Sequence, residues 1–328
     1  MIAYVIRRLL LIIPTFFLVT VVVFLLARFI PGDVIDMMLA QNTSGAAAEM
    51  TRQKIEEALG LNVPVSIQYF RWLGVAPQKT GEYPGLFQGN LGKSLWKNES
   101  VTKLLIERLP ISIELGLIAI IIAIIISLPI GVYSAIRQDT WGDYIGRSLS
   151  IIFISVPSFW IGTLLFVYPP IWWGWSPPTE YIPITKNLLG NLAQFLIPGF
   201  ITGMVMGGTL MRMMRTMMLE TLRQDYIRTA WAKGLKEHMV IMRHAVKNAL
   251  LPVVTIIGGM IPMVIVGAVV MEQIFALPGV GILTFQALNQ RDYPLIQGVN
   301  VILALLVLLA NITVDLTYAW IDPRVQYR

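Results

Sequence analysis

Six runs of about twenty apolar residues constrain this chain more than any other feature. Each can cross the roughly 30 Å hydrocarbon layer of a bilayer as a helix, and no single soluble core needs so many. The runs lie at about 9–29, 112–136, 148–168, 192–214, 250–271 and 296–320 of the 328 residues. A segment in lipid must satisfy its own backbone hydrogen bonds. The expected fold class is therefore an all-α membrane protein with six transmembrane helices. Composition agrees, with 56% hydrophobic and 13% charged residues, far from the balance of soluble domains.

The first run follows Arg7 and Arg8, as a signal peptide would, but its apolar stretch is too long and "LLARFIPGD" lacks a small-x-small cleavage site. It reads as a retained anchor. Cysteine is absent, which excludes disulfides and thiolate metal sites. The net charge of +6 is explained by topology. Assigning loops in order places 14 Lys and Arg on the N-terminal side of the membrane, eight of them in 212–247, against Lys186 and Arg291 in the short opposite loops. The other nine lie between 28 and 108, mostly in a loop too long for the positive-inside rule. Both termini are therefore expected to be cytoplasmic, and a nucleic-acid partner loses its motive.

Chemical motifs are sparse. "GNLGKSL" at 89–95 imitates the end of a phosphate-cradling loop, but Phe87 stands where its first glycine belongs and the segment lies outside the membrane. It is rejected as a nucleotide site. His238 and His244 have no neighbouring metal-ligand pattern. Glu114 sits near the outer end of the second span and Asp315 near the inner end of the sixth, where Arg7 or Arg8 could pair with it. No carboxylate lies at mid-membrane, as an ion-coupled secondary transporter would need. No convergent catalytic set suggests an enzyme. The methionines and glycines of "MVMGGTLMRMMRTMM", 204–218, fit adaptable packing and close helix approach better than Cu(I) binding. Trp172, Trp173 and Trp175 fit interfacial anchors. A helix is expected in "AAAEMTRQKIEEALGL", 46–61, with Met50, Ile55 and Leu59 on one face.

The exception is "DYIRTAWAKGLKEHMVIMRHAVKNALLPV", 225–253, a basic island between two apolar runs. Ile227, Trp231, Leu235, Met239, Met242, Val246 and Ala249 recur at helical spacing, with Arg228, Lys236, Arg243 and Lys247 mostly elsewhere. Gly234 interrupts the pattern after Lys233, a typical place for a left-handed helix end. A helix, a bend and a second helix are expected. A helix lying on anionic lipid is one use of such a segment, but Asp225 and Glu237 break the basic run and lipid needs no fixed bend. A protein partner is the better reading.

These residues resemble the cytoplasmic EAA signature of ATP-binding-cassette importer permeases, in the branch of dipeptide, oligopeptide, nickel and glutathione systems. The likeness runs through "RRLLLIIPTFFLVTVVVFLLARFIPGD", "GNLGKSL", "ISVPSFWIG", "PGVGILTFQALNQRDYPLIQG" and "VDLTYAWIDPR", in order. It implies a type I importer permease architecture in a prokaryotic inner membrane. It also implies a second homologous permease, two ATPase subunits and an extracytoplasmic solute-binding protein as partners. ATP and magnesium would be held by the ATPases, with no cofactor in this chain. The ATPases would dock on Asp225, Thr229, Ala230, Trp231, Ala232, Lys233, Gly234 and Leu235. Two positions depart from many relatives: Trp231 replaces Arg, and Lys236 replaces a Ser that could cap the second helix.

By the same resemblance the chain divides into an anchor helix at 1–30, an extracytoplasmic subdomain at 31–108, a permease core at 109–321 holding the coupling segment 216–249, and a cytoplasmic tail at 322–328. The path is expected along spans two to five, with Ser155, Pro157, Ser158, Met204 and Gly208 as candidates. Peptides are the cargo most commonly implied; nickel chelates, glutathione and oligosaccharides share the scaffold.

Overall fold

A computed structural model describes residues 2–29, 52, 56, 60–78 and 81–321. The described residues are mostly helical: α1 (Ile2–Phe29), α2 (Val65–Leu73), α3 (Val101–Ile136), α4 (Trp141–Ser155), α5 (Ser158–Trp173), α6 (Leu188–Leu222), α7 (Asp225–Ala232), α8 (Lys247–Ile274), α9 (Val280–Gln290) and α10 (Tyr293–Ile321). Most of the helix expected at 46–61, and the side chain of Asp315, lie outside the described residues.

Five of the six expected spans are single helices; the third, at 148–168, is not. It is divided between α4 and α5, which meet at 87°. The cause is local. Val156 is extended, at φ −86° and ψ 122°, because the ring of Pro157 disfavours the helical region for the residue before it. Pro157 itself has no N–H to continue the ladder.

The contacts divide the chain into two compact units. One comprises Met1–Arg8, Pro110–Gly281 and Leu306–Arg328. At its centre α6 packs on α3, α4 and α8 through small residues. A Cβ at Gly203 would lie 2.6 Å from the Ala119 carbonyl oxygen, and one at Gly208 would lie 2.7 Å from that of Ser150. Met206, Met211, Met214 and Met218 are all buried, as expected of thioethers filling irregular gaps. Gly203→Ala is expected to cost about 1–3 kcal/mol through overpacking. Gly259→Ala, where the added methyl meets nothing within 4 Å, should be neutral or stabilising. Thermal unfolding in detergent separates the two.

Two further features of this unit follow from buried polar groups. Ser112 donates its hydroxyl to the fully buried Glu272 carboxylate and accepts the Val280 N–H at 2.8 Å. A side chain at Gly279 or Gly281 would strike that carboxylate, which gives "PGVG" its glycines. The external segment before α6 is tied down by Asn191, donating to the Ile182 carbonyl at 2.9 Å, and by Gln194, which accepts the Ile182 N–H at 3.1 Å. Trp172, Trp173 and Trp175 are exposed, as interfacial anchors should be.

The other unit comprises Leu9–Leu109 and Ile282–Leu305. Its α1 and α2 meet through aromatic rings, with Phe24 edge-on to Tyr69 at 5.2 Å and the Tyr69 hydroxyl 2.9 Å from that of Thr20. Here the false phosphate loop finds its use. The Ser94 hydroxyl donates to the fully buried Asp292, whose carboxylate also accepts the Leu95 N–H at 3.1 Å. Trp96 donates to the Gln290 carbonyl at 2.7 Å. The Gly-Lys-Ser run is a tether.

Candidate functional site

The basic island folds as a helix, a bend and a second helical segment. Helix α7 is eight residues long and ends where Gly234 turns left-handed at φ 73°. The Gly234 N–H donates to the Trp231 carbonyl at 2.9 Å, and the Leu235 N–H to that of Ala230 at 3.4 Å. This pair of bonds is the Schellman stop. After the bend come one α-turn (Glu237–Met239), seven residues of π-helix (Val240–Val246) and then α8. Lys236 occupies the N-cap position with no side-chain hydrogen bond, in keeping with a lysine there.

The two arms are fixed to each other and to the membrane helices. Asn248 donates to the Tyr226 hydroxyl at 3.1 Å and to the His244 carbonyl at 2.7 Å. Ile227, Ala230, Val240, Ile241, Ala245 and Ala249 are buried in one cluster with the inner methionines of α6. Movement of the island therefore has a packed route into α6 and α8.

The single apolar stripe expected through the island does not exist. Ile227 and Ala249 are buried and Leu235 and Val246 pack partly, but Trp231 is 45%, Met239 42% and Met242 50% exposed. One helical period cannot pass through a left-handed bend, and each π-turn adds a residue and rotates the face presented to the core. Trp231, Met239 and Met242 are left exposed on the two arms of the bend, and Asp225, Thr229, Ala232, Lys233 and Gly234 are exposed as well. Of the eight docking candidates only Ala230 is buried and Leu235 partly so. Exposed tryptophan and methionine flanked by charge is the make-up of a protein interface.

The path candidates are more scattered. Ser155 and Pro157 are exposed at the break between α4 and α5, Ser158 and Met204 are partly buried, and Gly208 is in close contact with the α4 backbone. No cluster of His, Asp or Glu suited to a metal occurs among the described residues.

One group escaped the sequence. Asp143, in the first turn of α4, is fully buried and receives both Nε and Nη2 of Arg215 from α6, at 2.7 and 2.8 Å. It also accepts the Ser134 hydroxyl from α3 and the Asp139 N–H at 3.1 Å. This clamp joins the cytoplasmic ends of three helices. The residues are 72 positions apart, and nothing local to either announces the other.

Family models match in two blocks. The N-terminal model of binding-protein-dependent transport system membrane components covers residues 1–116, and the binding-protein-dependent transport system inner membrane component covers 127–327. The chain belongs to this permease family. Its likeness to named relatives runs end to end. It is 39% identical to an oligopeptide transport system permease protein of Bacillus subtilis, over 100% of both chains. It is 35% identical to a dipeptide transport system permease protein of Alkalihalophilus pseudofirmus, again over 100% of both. Among solved structures, an inward-facing form of the methionine ABC transporter MetNI aligns with a TM-score of 0.51 at 16% identity, over 67% of this chain and 96% of that one. That likeness is one of fold. The importer permease is thus a multi-pass component of the prokaryotic inner membrane.

Proposed function

We propose that this permease forms, with a second homologous permease, the path of an ATP-driven importer of di- or oligopeptides, supplied by an extracytoplasmic binding protein. Two ATPase subunits hold ATP and magnesium and dock on the α7 bend; this chain hydrolyses nothing. The observation that carries the reading is the exposed apolar set around Trp231 on a bend whose other face is packed into α6 and α8. Closure of the ATPases pushes on the bend, and packed helices transmit the push as a switch between outward and inward access. Ser155, Pro157, Ser158 and Met204 remain candidates for the path, the first two at the break between α4 and α5, where irregular backbone suits a passage better than lipid. The peptide cargo rests on the relatives' names.

The test is purification of the tagged chain from its native membranes in mild detergent, with mass identification of what accompanies it, then ATPase and uptake assays. The expected outcome is recovery of a second permease and ATPases, and uptake of a labelled dipeptide or oligopeptide in the presence of the binding protein. Trp231→Ala should weaken ATPase association about 30-fold, the effect of losing a central aromatic anchor of about 2 kcal/mol. A chain that purifies alone, without ATPase activity, sinks the docking assignment. Uptake of glutathione or an oligosaccharide in place of peptide sinks only the cargo.

A further inference from the structure

The positive charge of the cytoplasmic face is not all spent on the island or on the Asp143 clamp. Beside the clamp lies a separate cavity of about 150 Å³. Its polar wall consists of Ser134 from α3, Arg147 and Ser150 from α4, and Arg212, Arg215 and Thr216 from α6. Three arginines thus line one small, mostly apolar space, and no carboxylate lines it among the described residues.

The cations are not all matched. Arg215 is taken by Asp143. Arg212 makes no ion pair among the described residues. Nε and Nη2 of Arg147 are buried without a hydrogen-bond partner. Nη2 lies 3.3 Å from Asp143 and 3.7 Å from Asp139, but the Asp143 oxygens already accept bonds from Arg215, Ser134 and the Asp139 N–H. The Arg147 side chain is 39% exposed and its Nη2 has two carboxylates within ion-pair distance, but with the Asp143 carboxylate committed elsewhere an added anion supplies charge that the three arginines lack. A phosphate fits: its oxygens take forked bonds from arginine, while the hydroxyls of Ser134, Ser150 and Thr216 already donate to Asp143 and to the Arg147 and Arg212 carbonyls. The space is below the range of pockets that enclose whole small-molecule ligands.

The surroundings identify the source of that phosphate. Ile145, Ile151 and Ile152 on α4 are half or more exposed and offer an apolar surface next to the cavity. Trp141, 84% exposed, meets Tyr144 edge-on at 6.4 Å in the first turn of the same helix, and the Tyr144 ring lies 4.6 Å from the Arg147 guanidinium. An aromatic pair at a helix end beside a basic pocket is how a protein meets the headgroup layer of the cytoplasmic leaflet. We propose that this pocket, lined by Arg147, Arg212 and Arg215, holds the headgroup phosphate of an anionic phospholipid whose acyl chains lie along α4. The site is distinct from the ATPase-docking bend and does not depend on the cargo.

The complex, with whatever subunits accompany the chain, is reconstituted in phosphatidylcholine vesicles with a minor fraction of phosphatidylglycerol, re-extracted, and its retained lipid counted by native mass spectrometry. Phosphatidylglycerol should be retained in preference to phosphatidylcholine. Arg147→Gln and Arg212→Gln should each cut that retention about tenfold, the loss expected for one charge-assisted bond to phosphate. Arg137→Gln, outside the pocket, should not. Arg212 is exposed and outside the clamp, so its variant tests the site even if Arg147→Gln folds poorly. Equal retention by the Arg212→Gln and unaltered chains overturns the proposal. So does displacement of the lipid by millimolar inorganic phosphate, which would make the ligand a soluble anion.

Discussion

Asp143→Ala is expected to cost the permease about 3–5 kcal/mol of stability, the effect of removing one partner from a buried, hydrogen-bonded ion pair. Among the described residues the carboxylate alone holds Arg215 from both Nε and Nη2, and the Arg215 side chain is only 18% exposed. Without Asp143 that guanidinium stays in a partly closed space without the carboxylate that takes its forked bonds, and Ser134 and the Asp139 N–H lose their acceptor as well. Asp143→Asn keeps some of these bonds and should cost less. The double variant Asp143→Leu with Arg215→Met removes both charges and should recover much of the loss. The pair Asp225 and Arg228, 3.4 Å apart with both side chains largely exposed, is the control: Asp225→Ala should change stability by less than about 1 kcal/mol. Thermal unfolding of the four variants in one detergent makes the comparison. An Asp143→Ala chain as stable as the Asp225→Ala chain would show that the clamp contributes nothing.

How much of this was legible in the sequence depends on the range of the interaction. The membrane spans were, because lipid forces each to be a continuous run of apolar residues whatever its neighbours do. The break inside the third span was written there too, as Val156-Pro157, but hydropathy averaged over a window is blind to direction and reads a bent pair as one helix. The bend at Gly234 was legible because a left-handed stop is a local event with a local residue preference. The fate of the stripe around it was not. Trp231 and Met242 have the spacing of buried residues, and only the geometry of the bend and the π-turns puts them outside. Nothing near Ser94 points to Asp292, 198 residues away, so the Gly-Lys-Ser run could be rejected as a phosphate loop without its true tethering partner being visible. The Asp143 clamp and the arginine pocket beside it are of the same kind: their members are ordinary cytoplasmic-side charges until helix packing brings them together.

Gly234→Pro separates the folding of the island from its use. At φ 73° the residue is in a region proline cannot reach, and its N–H, which donates to the Trp231 carbonyl at 2.9 Å, would be gone. Both faults fall on the stop that sets the angle of α7. Gly234→Ala carries only the first and in milder form, since a Cβ there meets nothing within 4 Å; the left-handed conformation costs alanine about 1–2 kcal/mol. The expected result is therefore graded. Gly234→Ala should still recover the ATPases with this chain, at a yield lowered no more than about 30-fold. Gly234→Pro, at about 3 kcal/mol or more, should lower the docked fraction about 100-fold or more and abolish peptide-stimulated ATP hydrolysis. The membrane helices should survive, because the cluster that Ile227, Ala230 and the π-helical residues join is also built from α3, α6 and α8, so the melting temperature of the chain should fall by a few degrees and no more. Loss of ATPase together with a collapsed melting curve would assign the bend to folding alone. Full ATPase recovery with the proline variant would remove the bend from the docking surface and return the island to the lipid.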